Sequence, residues 1–215
     1  MMNRRSVMAR AAALGAVAAL PATTLPAVAQ TPRANPMPDD LRRALERDPT
    51  APVLGNPNGN ITLTEFFDYN CSFCRRMVPV MQQLISSDPA LRVVYREWPV
   101  FGPGSDFAAR ASLASLQQGK YWQFHTALFN ARGRADETSV MRTARAVGLD
   151  EAKLRTDMQS DAVERHISSS HLLAEHMGLM GTPTFIAGDE AAFGALSLDE
   201  MRELVKRARA ALGVG

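Results

Sequence analysis

Cys71 and Cys74 are the only cysteines in the chain, separated by two residues, and they stand where one hydrophobic rhythm gives way to another. An apolar, aromatic-rich strand pattern over residues 61–67 runs into the first of them. From Ser72 the pattern turns helical, with Cys74, Val78, Met81 and Ile85 recurring at steps of four, three and four. A dithiol placed between a strand and a helix points to redox chemistry. The competing reading is a structural staple. Closing so short a loop constrains the unfolded chain by only roughly 2 kcal/mol, a weak reason for a domain of this size to hold two cysteines so close.

The chain opens as an export leader. Arg4, Arg5 and Arg10 precede an apolar run from Ala11 to Leu20, and Ala27-Val28-Ala29 forms a small-residue cleavage site before Gln30. The run is about half of the ~20 residues that a membrane span needs. Asn3-Arg4-Arg5-Ser6-Val7-Met8 resembles the twin-arginine signal of the folded-protein export route. Cleavage after Ala29 leaves 186 of the 215 residues, enough for one domain with a sizeable core or a large insertion. It also leaves 21 basic against 22 acidic residues, because the leader holds three of the 24 arginines and lysines. A chain so nearly neutral offers no electrostatic case for nucleic acid or a membrane surface as partner.

After a Pro-rich lead-in over residues 30–37, Asp40 to Arg47 reads as a short helix, for packing or for contact with another subunit. Val53-Leu54 and Ile61 to Phe67 read as two strands joined by a tight connection, with Asn58-Gly59 as the turn signal. Pro79 predicts a kink or an early break in the helix that follows Ser72. Leu91 to Trp98 is the next strand, completing a βαβ unit with parallel strands. Helical patterns then cover Asp106 to Gln118, Tyr121 to Ala131, Thr138 to Val147, a short piece capped by Asp150, and Asp161 to Met177. That block is too long for one crossover and reads as a helical subdomain inserted into a strand-bearing core. Gly181 to Ala187 returns as a strand, Gly188-Asp189 as a turn and Ala191 to Ala195 as a short returning strand. Ser197 and Glu200 form a capping box for the last helix.

A nucleophilic thiol must be ionised near neutral pH, yet a free cysteine has a pKa of ~8.5. At the first turn of a helix, unpaired N–H groups and the positive end of the dipole favour the anion. Cys71 is therefore expected to be the exposed, acidic attacker. Cys74, one turn in on the apolar stripe, is expected to be buried and to act as the resolving thiol. Glu65 shares a strand face with Ile61, Leu63 and Phe67 by period-two alternation. Buried beneath the pair, its pKa rises, and it can take and return the proton of Cys74. If the other face is the core, Glu65 is merely solvated. Asp68 reads as a turn or cap residue.

The order of elements, together with Glu65-Phe66-Phe67-Asp68-Tyr69-Asn70-Cys71-Ser72-Phe73-Cys74, Phe101 to Ser105, Tyr121 to His125 and Gly181-Thr182-Pro183-Thr184-Phe185, resembles the DsbA family of exported thiol–disulfide oxidoreductases and its ScsC-like relatives. The resemblance runs from about residue 45 to the end. It implies an α/β, thioredoxin-like fold over residues 51–215, with a helical insertion at about 105–178. It implies that the peptide bond before Pro183 is cis, that Pro183 packs beside the cysteines, and that the backbone of Thr182 pairs with substrate. Ser72 and Phe73 are the remaining substrate-contacting candidates. They depart from the Pro-His dipeptide of the most oxidising members, so no imidazole supports the thiolate between the cysteines. The implied activity is donation of disulfides to cysteine-containing exported proteins in the periplasm. A membrane or soluble redox partner recycles the pair, which needs no cofactor beyond its own disulfide.

The remaining chemistry-bearing residues read as structural. His166, His171 and His176 are spaced by five, which does not stack them on one helix face, and two cysteines supply only half of a structural zinc site. The eleven methionines include leader residues, and the rest scatter along apolar faces as core fillers. Arg75 and Arg76 favour the thiolate, steer partners or simply solvate a helix. The rivals to an oxidase are an isomerase or reductase of existing disulfides, a copper(I)-binding protein using the two thiolates, and a chaperone-like binder.

Overall fold

The computed structural model describes residues 36–214; residues 1–29, the stretch read above as an export leader, lie outside them. Helix α1 (Asp39–Glu46) is followed by β1 (Val53–Gly55), β2 (Ile61–Phe67), α2 (Ser72–Ser87) and β3 (Leu91–Glu97). Five helices come next: α3 (Pro103–Ala114, continued by a 3-10 turn to Gln118), α4 (Tyr121–Asn130), α5 (Glu137–Ala146), α6 (Glu151–Asp157) and α7 (Asp161–His176). The chain then returns to the sheet as β4 (Thr184–Ala187) and β5 (Glu190–Phe193), and α8 (Leu198–Leu212) closes it. This is the thioredoxin-like α/β architecture with helices inserted between β3 and β4.

The sheet runs β1-β3-β2-β4-β5, with β2 and β3 parallel and the other pairs antiparallel. The two strands joined by the tight connection, β1 and β2, do not pair with each other. Both edges of β2 are taken, by β3 and by β4, so β1 pairs with the far side of β3, Val53 opposite Val94. The turn signal is nonetheless used. Asn58 N–H donates to the Asn56 side chain at 2.9 Å, and the turn swings the chain across the start of β3. Gly59 is required there because a Cβ would lie 2.5 Å from the Ala90 carbonyl oxygen.

Pro79 does not break α2, which continues to Ser87. The proline is on the exposed side of the helix. The hydrogen bond it cannot donate is therefore lost where water can reach the freed carbonyl.

Every residue of β2 and β3 is buried, because helices cover both faces of the sheet. On one face Leu63, Phe67, Val93 and Tyr95 join Met77 and Met81 of α2 and Leu204 and Val205 of α8. On the other, Phe66, Trp98 and Ile186 meet Leu45 of α1 and Leu173 and Ala174 of α7. Arg96 crosses to this second face, pairs with Asp48 at 2.6 Å, and donates to the last carbonyls of α1 at Ala44 and Leu45. Helix α1 thus packs on its own sheet.

Candidate active site

Cys71 occupies the N-cap of α2, with extended backbone angles (φ −84°, ψ 116°). The turn before it is closed by Cys71 N–H donating to Asp68 O at 3.1 Å. This geometry aims the sulfur back over the first helical turn, where the backbone N–H of Cys74 donates to Sγ at 3.2 Å. As a thiol, Cys71 donates to the carbonyl of Thr182 at 3.3 Å. No acidic residue lies in the first turn of α2 to oppose an anion there. The hydrogen bond from the Cys74 thiol is the largest influence on Cys71. Against the opposing effect of burial, and with help from Thr182 and the N–H groups of Cys74 and Phe73, it brings the pKa down to about 6.

The expectation of an exposed Cys71 is corrected. The residue is 5 % exposed, against 1 % for Cys74, because Thr182, 111 positions later in the chain, closes over its sulfur. Both cysteines are free thiols. Burial pushes the Cys74 pKa far above the ordinary thiol range, and its role as donor to Cys71 adds to this. The two thiols therefore have opposite characters, one acidic at a helix tip and one held protonated below it.

Glu65 is 4 % exposed, in register with Tyr95 of β3 and Phe185 of β4. Desolvation, with a smaller contribution from charge on Cys71, pushes its pKa up to about 8. Alternation puts Glu65 on the same face as Leu63 and Phe67, and the other face, with Thr64 and Phe66, is just as deeply covered. The Thr182–Pro183 peptide bond is cis, and Pro183 is buried at the entrance to β4. The Thr182 hydroxyl is buried with no protein partner. Ser72 and Phe73 face outward, Phe73 with 51 % of its surface exposed and the Arg76 guanidinium 4.3 Å from its ring centroid.

Two further residues shape the site. Asp68 is buried, and its carboxylate accepts from Asn70 N–H, Ser105 Oγ, Val100 N–H and Phe101 N–H at 2.6–3.0 Å. It thereby binds the Cys71 turn to the loop after β3 and to the start of α3. Asn70, unremarked in the sequence, ties the same turn to the connection between α4 and α5. Its only sequence signal is adjacency to the first cysteine. Two of the histidines take structural places. His125 and His166 are buried and their pKa values fall to about 3, desolvation being the main cause. His125 Nδ1 lies 3.0 Å from Tyr69 Oη, which donates in turn to Glu97. His166 Nε2 accepts from Glu97 N–H.

Residues 62–206 match the family described as DSBA-like thioredoxin domain. Among solved structures, the chain is similar to a thioredoxin-like oxidoreductase from Silicibacter pomeroyi, at 51 % identity over 79 % of this chain and 98 % of that one, with a TM-score of 0.77. It is similar to the thiol-disulfide exchange protein alpha-DsbA2 from Wolbachia pipientis, at 30 % identity over 78 % and 91 % of the two chains, with a TM-score of 0.73. A periplasmic thioredoxin-like protein from Salmonella enterica serovar Typhimurium aligns at 27 % identity over 81 % and 98 %, with a TM-score of 0.74. Curated relatives include the Na(+)/H(+) antiporter NhaA 3 of Salinispora tropica, 24 % identical over 158 residues that make up 73 % of this chain. The chain spans about a quarter of the length of such relatives (24 % for this one).

Proposed function

Because this chain belongs to the DSBA-like thioredoxin domain family, we propose that it is an exported thiol–disulfide oxidoreductase that donates a Cys71–Cys74 disulfide to protein substrates. The observation that carries the reading is the pairing of opposites at the tip of α2. The Cys71 sulfur receives the Cys74 N–H beside the cis Thr182–Pro183 bond, and Glu65 lies buried beneath.

In the oxidised protein a substrate thiolate attacks Cys71 Sγ. The Cys71–Cys74 bond breaks, and Cys74 leaves with the electron pair and takes a proton from Glu65, an acid in its protonated form below pH 8. A second substrate thiolate then attacks the substrate sulfur of the mixed disulfide. The substrate leaves with its own disulfide, and Cys71 is released as a thiolate. Two electrons have passed from substrate to protein. The low pKa of Cys71 stabilises this reduced product and so makes the pair a better oxidant. The backbone of Thr182 and the side chains of Ser72 and Phe73 hold the incoming chain, with Pro183 packed beside the sulfurs. No cofactor beyond the disulfide takes part.

The Arg-Arg leader and the periplasmic relative from Salmonella support export to the periplasm. Substrates there are reduced, cysteine-containing exported proteins, and a separate redox partner reoxidises the pair. The test is oxidation of a reduced, disulfide-requiring protein, with activity expected in wild type and lost in Cys71→Ser. The equilibrium with glutathione fixes the direction. Ser72-Phe73, lacking an imidazole, favours a second reading as isomerase or reductase; a reduction potential near that of thioredoxin (about −270 mV) would select the reductase, and a pair standing reduced in its native compartment the isomerase, over the oxidase.

A further inference from the structure

Four arginines stand at the rim of the Cys71 site with no acidic partner among the described residues. Arg75 and Arg76 lie near the start of α2, and Arg132 and Arg134 on the connection from α4 to α5; all four are exposed. Tertiary contacts bring the two pairs together. Arg75 Nη1 donates to Ala131 O at 3.0 Å, Ala135 N–H donates to the Asn70 side chain at 2.8 Å, and Arg134 Nη2 donates to Phe101 O at 3.1 Å. Among the described residues none of the four forms an ion pair.

The carboxylates nearest in the chain are engaged elsewhere. Asp106 pairs with Arg110, Glu137 pairs with Arg155, Asp136 caps α5, and Asp68 is buried on its own donors. Exposed apolar side chains accompany them: Phe73, whose ring lies 4.3 Å from the Arg76 guanidinium, and Val100 and Phe101, the latter reached through its carbonyl by Arg134. The chain as a whole is nearly balanced, with 24 basic and 22 acidic residues, so this concentration of unpaired positive charge is local. Such a field steers anionic partners and raises their association rates by ~10–10³.

We propose that this rim selects protein substrates whose reactive cysteine lies among aspartate or glutamate and apolar side chains. The inference rests on the exchange activity proposed above and names its substrate class. Charge on the guanidinium groups draws the acidic flank in, and the apolar side chains hold it at the sulfur.

The experiment uses two reduced single-cysteine peptides of equal length and apolar content, one with acidic and one with lysine flanks. Each reacts with the oxidised protein, and the rate constant for mixed-disulfide formation is followed from low ionic strength to about 1 M salt, where the screening length falls to ~3 Å. At low salt the acidic peptide is expected to react at least about tenfold faster, with the ratio shrinking towards one as salt rises. The double variant Arg132→Glu, Arg134→Glu should lower that low-salt ratio severalfold. Comparing ratios between proteins cancels each peptide's own thiol reactivity. Arg132→Glu alone, which spares the Arg134 bond to Phe101, should lower it in the same direction. A ratio indifferent to salt and to both variants overturns the inference and leaves the exchange chemistry standing. If neither peptide nor 2-mercaptoethanol reacts at all, the exchange reading falls with it.

Discussion

The carboxamide of Asn70 grips the backbone of Ala135 on both of its groups. Ala135 N–H donates to Oδ1 at 2.8 Å, and Nδ2 donates to the Ala135 carbonyl at 3.2 Å, across 65 positions of sequence. Nδ2 also reaches Ser105 Oγ at 2.9 Å. The inserted helices are thus fastened to the residue that immediately precedes Cys71.

Asn70→Ala removes all of these bonds at a half-buried site and should cost about 1–3 kcal/mol in stability. Loosening the turn should also raise the Cys71 thiolate pKa, because the Cys74 N–H is then less firmly held against the sulfur. Gly104→Ala should act similarly, since a Cβ there would lie 2.2 Å from Ala135 O and force the connection away. Denaturant unfolding and thiolate absorbance against pH read the two effects. Unfolding midpoints matching wild type in both variants would mean that the clamp contributes nothing.

Cys74 is the largest influence on the acidity of Cys71. Cys74→Ala removes that thiol donor, so alkylation of Cys71 by iodoacetamide should reach its half-maximal rate at a pH clearly above the value near 6 expected for wild type. An unmoved midpoint would assign the acidity to the helix terminus alone.

Glu65 sets a pH dependence of stability with a definite sign. Below about pH 4.5 the carboxyl is protonated in both the folded and unfolded chains; between there and about 8 the unfolded chain releases the proton and the folded one keeps it. Its contribution therefore falls as pH rises through this window, by an amount of the order of a few kcal/mol. Glu65→Gln should flatten that part of the stability profile and slow exchange in the pH range where wild type uses the acid. Parallel profiles for the two proteins, and unchanged exchange kinetics across pH, would remove Glu65 from the mechanism.

His166 acts in the opposite direction. Its pKa falls from 6.5 to about 3 on folding, so the unfolded chain gains a proton first as pH drops, and stability is lost from about pH 6.5 downward. His166→Gln, which keeps an acceptor for Glu97 N–H, should lose roughly 2–3 kcal/mol less than wild type between pH 7 and 4.5. Urea midpoints at the two pH values measure the difference, and equal losses would show that His166 does not govern acid sensitivity. His125, with the same direction of shift, accounts for part of what remains.

Short-range features were readable from the chain alone. The run of strand into Cys71, the helix leaving it, the Ser197–Glu200 capping box and the Asp150 cap each depend on residues within a few positions of one another. Pro79 and Asn58-Gly59 are legible in the chain too, but their effects are set elsewhere: both edges of β2 are occupied, and the proline faces water. Depth and proximity were legible only in three dimensions. Glu65 is desolvated because helices cover both sides of β2, Cys71 is covered by Thr182, and Arg132 stands near Arg75 because Ala131 and Ala135 are held to α2 and Asn70. Periodicity reports which residues share a face. How much water remains on that face, and which distant backbone closes over it, depends on contacts between segments that the local pattern does not encode.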